Sequence, residues 1–157
     1  MIHFNWKLIR TYAVSILIPV ALGAAVGLFI SGSMDYETLN KPPLAPPAWL
    51  FPIVWTLLYV LMGVSYGMLA VKEETDSSVN AVYFGQLAVN LLWPVFFFVL
   101  KWRLFAFFWI IALAVLVILM AVRFYRRSQA AGLLQVPYVV WTLFASHLNL
   151  MAVLLNR

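Results

Sequence analysis

The side chains able to do chemistry in this sequence are rings and amides. All five acidic residues, Asp35, Glu37, Glu73, Glu74 and Asp76, fall in two polar interruptions, and there is no cysteine. Carboxylate pairs, proton relays inside apolar segments, thiolate metal sites and thiol nucleophiles are therefore excluded. No glycine-rich phosphate loop occurs, and no metal site is expected. His147 is the one histidine within an apolar segment, where an axial haem ligand and a helix–helix hydrogen bond are both open readings. What remains is seven tryptophans and seven tyrosines. Such rings stack on flat ligands, and an indole can give up an electron to a photoexcited one.

Their spacing is helical. Gln86, Asn90, Trp93 and Phe97 recur at i, i+4, i+7 and i+11 and stay within about 40° of one another on a helix. Trp55, Tyr59, Met62 and Tyr66 form a second stripe, and Tyr138, Trp141, Ala145 and Asn149 a third, spread over about 80°. A buried amide must find a partner, so these faces point inward. They would line a pocket for a flat apolar ligand or simply hold helices together. Pro94 removes the helical hydrogen bond to the Asn90 carbonyl, so a kink is expected there.

The elements that carry these stripes follow from composition. The 157 residues are 66% hydrophobic and 10% charged, with a mean hydropathy of +0.99, far from the average of a soluble domain. Dividing the chain at its charges leaves five apolar segments of spanning length, at about residues 11–30, 49–71, 79–100, 104–122 and 133–155. The expected fold class is an all-α integral membrane protein, a five-transmembrane-helix bundle forming one domain. The first segment is too long for a signal-peptide core and should persist as a helix. Lys and Arg number six on the N-terminal side of the spans and four on the other, which favours a cytoplasmic N-terminus. The net charge of +5 sits at helix ends and points to the lipid bilayer rather than nucleic acid. Gly23/Gly27, Gly63/Gly67 and Ala81/Gly85 are small-x-x-x-small pairs that permit close helix approach.

Between the first two spans, residues 31–48 hold a loop with Pro42, Pro43, Leu44, Pro46 and Pro47. Four fixed φ angles make it stiff, so it loses little entropy when ordered and suits a lid over the bundle mouth.

The ordered motifs "LNKPPLAPPAW", "PIVWTLLYVLMG", "GQLAVNLLWPVFFF" and "VPYVVWTLFASHLN" resemble those of the tryptophan-rich sensory proteins and translocator proteins (TspO/MBR, peripheral-type benzodiazepine receptors), over essentially the whole chain. The resemblance implies a five-helix bundle, commonly a homodimer, with a pocket beneath the first loop for porphyrins and aromatic drug-like ligands. On that reading protoporphyrin or haem is a ligand, no cofactor is required, and the function is tetrapyrrole sensing, transport or homeostasis in a bacterial cell membrane. Light- and oxygen-dependent porphyrin degradation through Trp55 and Trp141 is the enzymatic alternative, and a ligand-free scaffold is another. Expected ligand-binding residues are Trp55, Tyr59, Gln86, Asn90, Trp93, Phe97, Phe105, Tyr138, Trp141, Ala145 and Asn149. Two features depart from the family: Leu44 stands where many members have tryptophan, and Leu150 and Leu154 occupy the places of the sterol motif. Sterol binding through that motif is not expected.

Overall fold

The computed structural model describes residues 5–157, and among these the regular structure is helical throughout. Helix α1 (Trp6–Ile30) is capped by the Asn5 side chain, which accepts from the Leu8 amide. Two short 3₁₀ turns, Ser31–Ser33 and Tyr36–Thr38, begin the lid. Helix α2 (Leu50–Val71) follows, then α3 (Ser77–Pro94) with a wide π-turn at Val95–Val99, α4 (Arg103–Arg127), the short α5 (Gln129–Leu133) and α6 (Val136–Leu155). Five helical stretches are long and apolar enough to cross a membrane. The first begins earlier and the fourth ends later than charge alone suggests, because basic side chains at helix ends can reach out to the interface.

The outward surface explains the composition. Leu17, Phe29, Ile53, Leu57, Phe108, Val115 and Leu143 are all more than half exposed, a coat that only lipid hydrocarbon satisfies. The chain is an integral membrane protein. Its packed face on α4 is Ala106, Ile110, Leu113, Val117, Met120 and Phe124, at the three- and four-residue spacing of one helix side. Helix α1 lies along α2, and α4 packs against both α3 and α6.

Glycine sets the closest approach of α1 and α2. A Cβ at Gly63 would lie 2.4 Å from the Ile16 Cα and 2.5 Å from the Ser15 carbonyl oxygen, and one at Gly67 would meet the Tyr12 ring at 2.7 Å. Pro19, inside α1, has no N–H to give the Ser15 carbonyl. Gly63 lets α2 close over that gap. Around it the end of the bundle remote from the lid is filled by stacked Tyr66 and Tyr83, by Phe124, and by Met62, Leu69 and Met120.

Pro94 closes the regular part of α3. α3 continues past it as a π-turn, and the Leu100 amide donates to the Val95 carbonyl at 2.9 Å. The wide turn leaves both Phe97 and Phe98 buried.

Candidate functional site

At the lid end the helices part and enclose a cavity of about 600 Å³. Helix α1 supplies a smooth wall of Val20, Gly23, Ala24 and Gly27; α2 supplies Phe51, Trp55 and Tyr59; α3 and its π-turn supply Asn90, Trp93 and Phe97; α6 supplies Ala145, Leu148 and Asn149. Gly27 opens space here, for a Cβ on it would meet nothing within 4 Å.

The polar groups of this wall are committed to one another. The Tyr59 hydroxyl donates to Asn90 Oδ1 at 2.7 Å, Asn90 Nδ2 donates to the Tyr138 hydroxyl at 2.6 Å, and Tyr138 donates to Gln86 Oε1 at 2.7 Å. Trp93 Nε1 donates to Asn149 Oδ1 at 3.0 Å, and Asn149 Nδ2 donates to the Arg103 carbonyl at 2.8 Å. With these groups engaged, the cavity offers chiefly ring faces: Trp93 stacks on Phe97 at 5.2 Å, and Trp55 lies 6.0 Å from Tyr59. Such a wall suits a flat apolar molecule.

The lid is tied down from both sides. Asp35 pairs with Arg103 at the start of α4 and with Lys101 at 3.4 Å. The Asn40 amide donates to Asn156 Oδ1 at 2.9 Å, and Asn156 Nδ2 returns a bond to the Asn40 carbonyl at 3.0 Å, fastening the lid to the end of α6. Within the lid, the Tyr36 hydroxyl donates to the Pro46 carbonyl at 2.7 Å. Burial, and then the Glu37 carboxylate, raise the Tyr36 phenol above its ordinary pKa, which keeps that donor protonated.

Comparison with known proteins follows the same outline. The family model of the TspO/MBR family matches residues 15–155. The chain belongs to the TspO/MBR family. A tryptophan-rich protein TspO of Archaeoglobus fulgidus is 43% identical over 148 residues, covering 90% of this chain and 94% of its own. The tryptophan-rich sensory protein of Cereibacter sphaeroides is 33% identical over 154 residues, 98% of this chain and 94% of its own. A translocator protein of Ovis aries is 36% identical over 120 residues, 73% of this chain and 70% of its own.

In this TspO/MBR chain the expected residues divide. Trp55, Tyr59, Asn90, Trp93, Phe97, Ala145 and Asn149 line the cavity together. Gln86 and Tyr138 lie one layer behind, reaching it through Asn90. Two placements correct the sequence reading. Trp141 is not among the lining residues, and its ring lies edge-on to that of Phe51, which is, at 5.8 Å. Phe105 is half exposed, packs edge-on against Phe96 and borders a separate surface cleft near Lys101 and Arg157. Of the lid residues Pro42 lines the cavity, whereas Pro43, Leu44, Pro46 and Pro47 do not; Leu44 stands 95% exposed at the tip with φ of 69°. His147 faces outward. The α1 wall escapes a search for reactive side chains, since valine, alanine and glycine carry none. The small-x-x-x-small pair Gly23/Gly27 was the available signal, and only Gly23 makes the expected close contact, with the Tyr59 ring.

Proposed function

We propose that this chain binds porphyrin-type tetrapyrroles, protoporphyrin or haem, and other flat aromatic molecules in the lid-covered cavity, and serves their sensing, transport or homeostasis. The observation that supports this reading is the cavity of about 600 Å³ walled by Trp55, Tyr59, Trp93 and Phe97, within the size range of small-molecule sites. Protoporphyrin titrated into purified protein should quench tryptophan fluorescence saturably at micromolar concentration or below. Trp55→Ala should weaken binding about tenfold, the scale of one lost aromatic contact, and Phe105→Ala should not. Equal losses from both variants, or non-saturable quenching, would overturn the site.

Trp55 in the cavity wall favours a second reading, light- and oxygen-dependent porphyrin breakdown, in which an indole beside the excited ligand supplies an electron. Illumination in air should then change the bound porphyrin's absorption faster than in empty micelles, with Trp55→Phe slower than Trp141→Phe. Equal rates in protein and micelles would remove the enzyme. A homodimer completes the proposal, its partner against the Ala81 and Gly85 side of α3, where a Cβ on Gly85 meets nothing within 4 Å. The N-terminus is proposed to be cytoplasmic and the lid outside, in a bacterial cell membrane; thiol labelling of a cysteine introduced at Leu44 in intact cells reads that orientation.

A further inference from the structure

The cavity wall carries a single charged side chain among the described residues, Lys41. It belongs to the lid and lines the cavity from that side. Its ammonium donates to the Tyr36 and Glu37 carbonyls at 3.0 and 3.2 Å, lies 4.8 Å over the Tyr36 ring and pairs with the Glu37 carboxylate at 3.5 Å. The two partners differ in surroundings: the Lys41 side chain is 28% exposed and that of Glu37 74%. An ion pair to so solvated a carboxylate is weak and readily exchanged.

We infer that Lys41 makes the site selective for aromatic ligands that carry a carboxylate at one edge, the acid taking the place of Glu37 on the ammonium. This rests on the porphyrin reading and deepens it. A carboxylate entering an apolar cavity loses hydration and needs a charged or strongly donating partner. Asn149 and Asn90 already hold protein partners, and Asn40 is held by Asn156 and Leu155. The Thr56 hydroxyl and the Trp55 indole are neutral donors in the same lining, and Lys41 is its one positive charge among the described residues, the group that can match a carboxylate's charge. The ligand then has one orientation, rings against Trp93 and Trp55 and acid edge toward the lid, and the displaced Glu37 turns into water.

The test compares protoporphyrin with its dimethyl ester, which keeps the rings and loses both charges. Each is titrated by tryptophan quenching into the wild type, Lys41→Gln, Lys41→Arg and Glu37→Gln in one detergent, and the quantity read is the preference for diacid over ester. That preference should fall about tenfold in Lys41→Gln, the scale of one charge-assisted bond, persist in Lys41→Arg, and rise about threefold in Glu37→Gln, where the competing exposed carboxylate is gone. A lysine that only braced the lid would weaken both ligands alike and leave the preference unchanged, which overturns the inference. Glu37→Gln decides the matter if Lys41→Gln fails to fold. Absence of saturable binding for both ligands in the wild type would instead sink the porphyrin reading itself.

Discussion

The two ends of the bundle are built from the same helices and the same kinds of residue, yet one is solid and the other hollow. At the remote end, Gly63 and Gly67 receive the α1 backbone and the Tyr12 ring, and stacked tyrosines fill what is left. Toward the lid, Gly27 faces open space and large rings stand back against the walls. The lesson is that a glycine in a membrane helix has no fixed meaning. Opposite a backbone or a packed ring, as at Gly63, Gly67 and Gly23, it is a contact, and where no neighbour stands within 4 Å, as at Gly27, it is room. The Tyr59–Asn90–Tyr138–Gln86 chain is what holds such rings in place.

The sharpest way to break this contrast is a methyl group at each kind of glycine. Gly63→Ala should destabilise the protein by about 3 kcal/mol, since the new Cβ meets backbone that cannot move aside. Gly27→Ala should stay within about 0.5 kcal/mol of wild type. Thermal unfolding in detergent compares them, and similar melting temperatures would erase the distinction. Next in size is Asn90→Leu, which leaves the Tyr59 and Tyr138 hydroxyls short of partners; about 2 kcal/mol of stability should be lost. If the variant is as stable as wild type, the hydrogen-bonded chain does not hold the hollow end open.

A smaller effect sharpens the picture at the lid. Asn156→Ala removes both of that side chain's bonds with Asn40 and should cost about 1 kcal/mol locally. Hydrogen exchange of residues 36–48 should quicken about fivefold while that of α3 and α4 stays unchanged. Exchange that rises everywhere would mean the lid is no separate unit. Smallest is an effect of acid at the remote end. The Val79 amide, and to a lesser degree Arg127, hold the Asp76 carboxyl below its ordinary pKa of 3.8. Its contribution is present in full above that value and is lost as pH falls through the lowered native one. Asp76→Asn should therefore flatten a small acid-side decline in stability, read by melting between about pH 5 and pH 2, its slight deficit against wild type showing at neutral pH and vanishing in acid.

Much of this was legible beforehand because charges bound the spans and helical spacing sorts their faces. The Gln86, Asn90, Trp93, Phe97 stripe is buried as its period requires, and α3 gives way to a π-turn directly after Pro94. A helical wheel says which side a residue is on, not what stands opposite. Trp141 shares its stripe with Ala145 and Asn149, yet they line the cavity while it packs edge-on against Phe51 of α2. Lys41 was hidden for a similar reason: a lysine beside prolines reads as a solvated loop charge until the 3₁₀ turn at Tyr36–Thr38 draws it inward. The division of the last span into α5 and α6 turns on Pro137, which suits the first turn of a helix better than its middle.

The π-turn after Pro94 bears on how this membrane protein could change over generations. A wide turn absorbs one extra residue without lengthening the span, so it works as a rotational joint: everything before it keeps its bearing toward the cavity, and everything after it is swung by roughly one residue's angle. Deleting a single residue between Val95 and Val99 would not shorten the crossing much, but it would turn the Lys101 corner, and with it the Arg103 anchorage of Asp35, away from the loop that it now holds.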